Sequence, residues 1–355
     1  MRLFNRHDGL IGIDITSMTV KLLELKASGG GYQVESYAVR PLPDGAVEER
    51  RIQDVEAVAE VLGRAVSRAR PTTRKAAVAV PASSAITKTL AFPASLSEED
   101  IEERIVTESD RHIPFPFNEV AFDFQCLGPS AFNEDEQRVL LVACRRQEIA
   151  QLTDTLERAG LEPVVVDVES FAVERAFGVV RRQLKDRSAS DPEACVGLVD
   201  VGANINAFHV MRGDNIIYTR DTVFGGRRLT DAIGSRYDMS REEAGYAKKY
   251  GGLPDDYQAE VLDPFLDTIV QQVGRSLQLY YSAGRHHEVR EIVLAGGTSL
   301  IPGLAERIAE DSGMRVTIAN PFECMTVSRR IDLDALTRDA PAMLTACGLA
   351  MRAKG

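Results

Sequence analysis

Apolar and polar positions fall into the same order twice along this chain. From Leu10 to Lys26 (LIGIDITSMTVKLLELK) and again from Val196 to Arg212 (VGLVDVGANINAFHVMR), an apolar run reaches an aspartate, turns through small residues and returns as a second apolar run. The two stretches superpose without a gap, placing Asp14 on Asp200, Thr16 on Gly202, Ser17 on Ala203 and Lys26 on Arg212. Strand patterning interrupted by a short polar turn predicts a β-hairpin in each. Two matched hairpins tipped by carboxylates predict a two-lobed protein that clamps one charged ligand.

The first half continues with a strand over Tyr32 to Val39, reached through Gly29, Gly30 and Gly31, where positive φ meets no Cβ. Asp54 to Ala69 places Val55, Val58, Ala59, Leu62 and Val66 at helical spacing, and the short apolar run Ala76 to Val80 predicts a buried parallel strand. A separate unit then interrupts the plan. It reads as strand Ile86 to Phe92, a helix from Ser97 to about His112, and strands Glu119 to Leu127 and Arg138 to Cys144, with Ser97 and Asp100 spaced for capping. Its helix is acidic (Glu98, Glu99, Asp100, Glu102, Glu103, Glu108, Asp110). Such a helix is either a solvated face, with each N-terminal charge worth a few tenths of a kcal/mol against the helix dipole, or a docking surface for a basic peptide.

Gln147 to Ala159 predicts a helix stopped by Gly160, Val164 to Val168 a buried strand, and Ser170 to Gln183 another helix. The turn-rich tail RRQLKDRSASDPEA places a lobe boundary at about 184–194, and its basic run (Arg181, Arg182, Lys185, Arg187) reads as a solvated helix end. After the second hairpin come a strand, Asn215 to Val223, the pair Gly225 and Gly226, and helices over about Arg228 to Arg236 and Ser240 to Tyr250. Asp263 to Tyr281 carries the strongest apolar stripe, so it belongs to the core. Glu291 to Leu294 reads as a buried strand running into AGGTSLIPG and a helix, and Pro341 to Arg352 as a helix crossing back to the first lobe. The expected division is a first lobe of 1–190 and 341–355 carrying an insert at 83–146, and a second lobe of 195–340.

Composition narrows the chemistry. At 355 residues, 44% hydrophobic and 27% charged, the chain has the make-up of a folded protein of two domains. A net charge of -11 argues against nucleic-acid binding, which needs a basic face to neutralise phosphates. The five cysteines (Cys126, Cys144, Cys195, Cys324, Cys347) form no CxxC and read as buried apolar residues in a reducing compartment. MRLFNRHDG has no signal-type apolar region, and no run of about 18 apolar residues occurs, so a cytoplasmic protein is expected.

A carboxylate at the end of a buried strand, beside a turn of small residues, can hold hydrated magnesium, which keeps several waters and takes one or two carboxylates plus phosphates. Asp14 and Asp200 are the metal candidates; singly, each also reads as an ordinary turn aspartate. Thr16, Ser17, Gly202, Ala203 and Asn204 are small enough for backbone N–H groups to approach phosphate oxygens. Lys21 can set an ammonium against the same phosphates or lie on a strand surface. Gly296, Gly297 and Thr298, after a buried strand, leave room for a flat purine and ribose. The histidines make no metal spacing, and no Ser-His-Asp or paired-glutamate arrangement is visible.

In this order the motifs resemble the superfamily of actin, sugar kinases and heat-shock ATPases. GIDITSMTVK resembles its first phosphate loop, LVDVGANIN its second, LAGGTSLIPG its adenosine loop, DVESFAVERAFG its first connecting helix and Pro341 to Arg352 its second. The resemblance implies an α/β, actin-like (ribonuclease H-like) two-lobed fold holding ATP with Mg2+ between the lobes. The insert resembles the 1C, or SHS2, subdomain of FtsA. Together with IGIDITSMTVKLLEL and HIPFPFNEVAFDF, it is most similar to the PilM family of type IV pilus assembly, the machinery of twitching motility. The sequence closes on AMRAKG, so neither the amphipathic helix of FtsA nor the membrane anchor of GspL-type homologues is expected.

That resemblance implies an ATP-binding adaptor, peripheral at the cytoplasmic face of the inner membrane through its partners. Its first lobe and insert would grip the partly basic N-terminal cytoplasmic tail of PilN. Other inner-membrane and motor components, and further copies of the chain, complete the implied partners. Two positions depart from the superfamily pattern. Lys248, with Gly225 and Gly226 placed near the purine, has Gly245 three positions earlier where an acidic residue is usual, with Glu242 and Glu243 displaced toward the start of the turn. Glu169 matches the glutamate that helps orient water in heat-shock ATPases and equally reads as a helix cap, so at most slow hydrolysis is implied. Two alternatives stay open: a filament-former of FtsA or MreB type, and a sugar-kinase-type phosphotransferase with Asp200 as its base.

Overall fold

The computed structural model describes residues 9–130, 133–184, 194–284 and 287–353. Strands β1 (Leu10–Ile15), β2 (Thr19–Ser28) and β3 (Gly31–Pro41) form an antiparallel meander. Its second turn is left-handed at Gly29 (φ 56°) and Gly30 (φ 85°), as a tight hairpin requires. A two-rung hairpin, β4 (Val47–Glu48) and β5 (Arg51–Ile52), leads to α1 (Val55–Ala69), whose first turn is capped by the Asp54 carboxylate accepting the Ala57 N–H. β6 (Lys75–Val80) then runs parallel to β1.

The insert follows as β7 (Ile86–Pro93), α2 (Glu98–Thr107), α3 (Ser109–His112), β8 (Val120–Pro129) and β9 (Glu136–Arg145). Its antiparallel strands lie in the order β7-β9-β8, and the expected capping box between Ser97 and Asp100 is present. Phe92, Ile101, Ile105, Val139 and Leu141 give it a small core of its own, separate from the main clusters. The apolar side of α2 is therefore consumed inside the insert, and its acidic side faces outward.

The chain returns through α4 (Arg146–Arg158), β10 (Glu162–Val168) and α5 (Glu169–Val180). β10 is less buried than its apolar run predicts. It forms the edge of the first sheet, so Val164 is 44% exposed and only Asp167 and Val168 are buried. The boundary expected at about 184–194 falls almost wholly outside the described residues, as do Lys185 and Arg187 of the basic run.

The second half has β11 (Cys195–Val201), β12 (Asn206–Arg212), β13 (Asn215–Thr222), α6 (Gly226–Tyr237), α7 (Arg241–Tyr250), α8 (Asp263–Ser282), β14 (Val289–Ala295), α9 (Leu304–Ser312) and β15 (Arg315–Ile318). Short β16 (Thr326–Val327) crosses back to pair with β3, and α10 (Leu333–Asp339) and α11 (Leu344–Ala350) close the chain. The repeat seen in two hairpins extends through both sheets. The first reads β3-β2-β1-β6-β10 and the second β13-β12-β11-β14-β15, each three antiparallel strands followed by two parallel ones.

One apolar cluster joins the two sheets: Leu23 and Leu25 from the first, Leu198 and Val293 from the second, with Phe177 of α5 and Met343, Leu344 and Cys347 at α11 between them. Burying each such Leu or Phe contributes about 1.5–3 kcal/mol. α11 sits so close that a Cβ on Gly12 would lie 2.1 Å from the Ala346 carbonyl, and one on Gly348 would lie 1.7 Å from that of Ala172. The expected crossing helix is thus a wedge of backbone against β1 and α5. Cys144, Cys195 and Cys347 are buried as expected, whereas Cys324 is exposed. Among the described residues no helix is long and apolar enough to cross a membrane.

Candidate functional site

The two hairpin tips are built by the same bond. The Thr16 N–H donates to the Thr19 carbonyl at 2.9 Å, and the Gly202 N–H to the Ile205 carbonyl at 2.9 Å. In the first tip the Thr16 hydroxyl also donates to the Thr19 carbonyl (3.0 Å) and accepts the Thr19 N–H (3.1 Å). Its hydroxyl thus serves the turn itself. Among the described residues no hydrogen bond reaches the amides of Ser17, Ala203 and Asn204, which remain available for an anion.

Charge is where the tips differ. Asp14 and Lys21 face each other across β1 and β2, and the Lys21 ammonium lies 2.8 Å from Asp14 Oδ2, both side chains about nine-tenths buried. Burial alone would lower the Lys21 pKa; Asp14, with Asp200 and Glu169 further off, holds it above its ordinary value. At the matching place opposite Asp200 stands Ala207. Burial pushes the Asp200 carboxyl up, Lys21 opposes that, and Asp14 adds to it.

Glu169 opens α5 on the same side of the cleft. Its side chain keeps 29% of its surface exposed. Burial pushes its carboxyl up to about 7 against the pull of Arg50, with Asp14, Asp200 and Asp221 adding to the rise. It accepts a hydrogen bond from Arg50, which also approaches Asp221 at 3.9 Å. Asp221 follows Asp200 and Ala207 in one cross-strand row of the second sheet. His209, buried beside this row, has Nδ1 3.0 Å from Thr219 Oγ1; burial, with Arg50, lowers its pKa to about 4 and keeps it neutral.

Sequence reasoning missed Arg50 and Asp221. Arg50 sits in the run EERR, which reads as solvated charge, and its turn has none of the Asn-Gly chemistry that marks a tight hairpin. Both central residues, Glu49 (φ 48°) and Arg50 (φ 64°), are left-handed without glycine's freedom. That geometry turns Arg50 into the cleft.

The second lobe supplies a floor almost free of side chains. The Gly226 N–H donates to the Gly202 carbonyl (3.0 Å), the Arg227 N–H to the Ala203 carbonyl (2.8 Å), and the Thr298 hydroxyl to the Gly202 carbonyl (3.0 Å). A Cβ on Gly225 would come within 2.5 Å of the Gly202 and Ala203 carbonyls, and one on Gly296 within 2.4 Å of Asp200 Oδ1. Gly296 and Thr298 are thus brought against the second tip, whereas a Cβ on Gly297 would face Ala342 at 4.0 Å instead. Lys248 reaches the same floor from α7, its ammonium donating to the Gly226 carbonyl (3.0 Å) and Thr230 Oγ1 (2.6 Å). Glu243 closes the α7 capping box with Ser240, so it is engaged at the helix start.

Asp14, Asp200, Glu169 and Asp221 therefore share one cleft with Lys21 and Arg50, an excess of two carboxylates. No group of three His, Cys, Asp or Glu among the described residues is arranged to hold a metal alone. Magnesium in a nucleotide site needs only one or two carboxylates alongside phosphates. Among the described residues no cation is ion-paired with Asp200, whereas Asp14 has Lys21 as its counter-ion.

A family model described as type IV pilus assembly protein PilM matches residues 12–354. The chain is similar to a solved PilM-PilN type IV pilus biogenesis complex, at 27% identity over 98% of this chain and 99% of that one, TM-score 0.79. It is similar in fold to the ethanolamine utilization protein EutJ from Carboxydothermus hydrogenoformans (15% identity, 96% and 88% covered, TM-score 0.55). The nucleotide-free form of a diol dehydratase-reactivating factor is also similar (9%, 97% and 99% covered, TM-score 0.55). The expected architecture holds: an α/β, two-lobed actin-like fold with a strand-helix-strand-strand insert.

Proposed function

The chain belongs to the PilM family of type IV pilus assembly proteins, and from that premise we propose that it is an ATP-binding adaptor gripping the N-terminal cytoplasmic tail of PilN. The observation that carries the partner is the likeness, along 98% of the chain, to a PilM-PilN complex. What supports the place of binding is the insert. Glu98, Glu99 and Glu102 on α2 and Asp123, Phe124 and Cys126 on β8 line one groove. Carboxylates over an aromatic floor suit a short tail with basic and apolar side chains, and charge complementarity speeds its encounter and fixes its register. Binding there attaches the protein to the inner membrane through its partner.

The nucleotide half rests on the cleft. Asp200 is the residue to hold Mg2+, and Asp14 acts through Lys21, which can turn its ammonium toward phosphate oxygens. The amides of Ser17, Ala203 and Asn204 meet the phosphates, while Gly296, Gly297, Thr298, Gly225, Gly226 and Lys248 border the nucleoside. Bound Mg2+ supplies charge neutralisation to the phosphates. In this reading lobes of 1–190 with 341–355 and of 195–340 close on ATP, with 83–146 as the docking unit.

Fluorescence anisotropy with a labelled synthetic PilN tail tests the partner. Binding to the full chain should weaken at least about tenfold when Glu98→Lys and Glu102→Lys are combined, since each tenfold needs only about 1.4 kcal/mol. No binding by the parent protein with Mg2+ and ATP present would overturn the partner reading. For the nucleotide, Mg-ATP should raise the melting midpoint of the parent protein, and no rise would overturn that half.

A further inference from the structure

The end of α1 and the loop after it carry charge of one sign. Residues 61–75 hold Arg64, Arg68, Arg70, Arg74 and Lys75 and no acidic residue, in a chain whose net charge is -11. All four arginines are exposed. Among the described residues Arg64 pairs with Glu60, one turn earlier in α1, while no carboxylate comes within ion-pair reach of Arg68, Arg70 or Arg74. Arginines elsewhere in the first lobe, Arg50, Arg51, Arg158 and Arg175 among them, have carboxylates of their own. Lys26 is exposed at the same end of the sheet, and Glu162, facing Lys75 across β10 and β6, is an acidic residue at its edge.

The loop that presents these cations is fixed. Its Thr72 N–H donates to both carboxylate oxygens of buried Glu24, at 3.0 Å each, and the Thr72 hydroxyl donates there too. The Lys75 N–H donates to Thr73 Oγ1 at 3.2 Å, and the Arg74 carbonyl accepts the Glu162 N–H at 2.8 Å. Arg70 closes α1 in the left-handed conformation (φ 50°, ψ 58°), its N–H donating to the Val66 carbonyl at 2.9 Å. Glycine fills such a helix end with no Cβ penalty; here the position carries an exposed guanidinium instead. The frame thus holds the loop in place while leaving three of its arginines unpaired, which lowers the ordering cost of meeting an anionic surface.

We infer that the surface of residues 64–75 docks directly on the anionic headgroups of a membrane. Clusters of about four to eight Lys and Arg are what negatively charged lipid surfaces attract, and a plane of headgroups meets several arginines at once without needing a pocket. The choice of a membrane over an acidic polypeptide rests on the partner reading above, in which the tail seated on the insert belongs to an inner-membrane protein. β6 starts at Lys75 and ends at Val80, and the insert begins with β7 at Ile86. Roughly 20 Å of strand, at about 3.3 Å per residue, therefore separates the patch from the root of the insert. Tethering over so short a span raises the local concentration of headgroups around the patch and turns a flexible attachment into an oriented one.

Flotation of the full chain with vesicles tests the docking directly. The protein should bind vesicles of equal parts phosphatidylglycerol and phosphatidylcholine and ignore phosphatidylcholine alone. Binding should be lost as ionic strength rises from about 0.1 M to 1 M and the screening length falls from about 10 Å to 3 Å. Arg68→Gln, Arg70→Gly and Arg74→Gln combined should weaken it at least about tenfold, since each cation near a charged surface contributes about fivefold. Glycine suits the left-handed end of α1, so the melting midpoint of this variant should not fall. Arg68→Lys, Arg70→Lys and Arg74→Lys combined should keep the binding, because the surface reads charge rather than the two-pronged geometry of a guanidinium.

No binding of the parent to the anionic vesicles, or undiminished binding by the neutralised variant, would overturn the docking. The vesicles carry no tail, so either result leaves the partner reading to be judged separately by anisotropy with the PilN peptide. A neutralised variant that changes the sedimentation of the protein alone, and not its vesicle binding, would assign the patch to a second copy of the chain and overturn the docking as well. A parent that binds the vesicles but not the peptide would remove the partner and leave the docking in place.

Discussion

The two hairpins are copies in backbone and opposites in charge. Each ends a central strand with an aspartate and closes the following turn with the same N–H to carbonyl bond. Across from Asp14 the chain places Lys21, 2.8 Å away; across from Asp200 it places Ala207. Duplication preserved the frame, because the frame is set by strand order and turn length, while a single cross-strand position decides the electrostatics. The first tip is neutralised by its own lysine, whereas among the described residues Asp200 has no ion-pair partner and feels Lys21 and Arg50 only from further off.

The largest effect should come from unbalancing the neutral tip. Lys21→Ala leaves Asp14 buried and unpaired, and breaking a buried ion pair on one side costs about 3–5 kcal/mol. Urea denaturation of the parent and variant measures it. Replacing both partners, Asp14→Asn with Lys21→Met, should cost less than Lys21→Ala alone, since no uncompensated charge remains. A loss below about 1 kcal/mol for Lys21→Ala would mean that the pair behaves as an exposed one.

The second tip should respond in the opposite sense. Asp200→Asn removes a carboxylate whose ionisation burial disfavours against the pull of Lys21 and Arg50, so the ligand-free midpoint should hold or rise. The gain from Mg-ATP, about 2.7 kcal/mol at 100 times the dissociation constant, should disappear. Asp14→Asn should instead lower the ligand-free midpoint by leaving Lys21 unpaired. Scanning fluorimetry of both variants with and without Mg-ATP checks this, and equal behaviour of the two would erase the proposed division between the tips.

What could be read in the sequence follows from how far each signal reaches along the chain. Apolar periodicity and turn chemistry are local, so both hairpins, the capped helix from Ser97 and the strands of the insert were legible, and so was the Asp14 and Asp200 pairing by repetition. The resemblance to actin-like proteins then supplied the two-lobed fold class, while the order of strands within each sheet came from the structure. Long-range partners were not legible. Arg50 meets Glu169 across 119 positions of chain, through a turn whose residues carry no left-handed signature. Asp221 looked like any strand-end charge, and the Thr16 and Gly202 amides, expected to approach phosphate, donate inside their own turns. The exposure of Val164 depended on β10 lying at an edge, which periodicity does not encode.

A third comparison uses pH to separate paired from crowded carboxylates. Glu169 ionises at about 7 in the folded protein against 4.5 ordinarily, so between those values the folded state binds more protons than the unfolded state. Stability contributed by this group is complete below about pH 4.5 and is lost as pH rises through 7. One pKa unit corresponds to about 1.36 kcal/mol, and with the carboxylate partly open to the cleft a loss of about 2 kcal/mol across the window is expected. Ligand-free melting curves from pH 4.5 to 8 should show this slope in the parent and a shallower one in Glu169→Gln. Equal slopes would mean that Arg50 fully offsets the burial.

The smallest effect concerns the turns themselves. Thr16 closes the first tip with hydroxyl bonds that Gly202, at the matching place, cannot make. Thr16→Ala forfeits them at about 1 kcal/mol, the net worth of an intramolecular hydrogen bond, and calorimetry should show a correspondingly small fall in midpoint. The stabilisation by Mg-ATP should be unchanged, because the hydroxyl serves the turn and the anion meets neighbouring amides. Thr16→Gly, which makes the first tip match the second, should cost more, since glycine also loosens the unfolded chain. If Thr16→Ala abolishes the Mg-ATP shift while leaving the midpoint intact, the hydroxyl belongs to the ligand and the first tip is as dependent on nucleotide as the second.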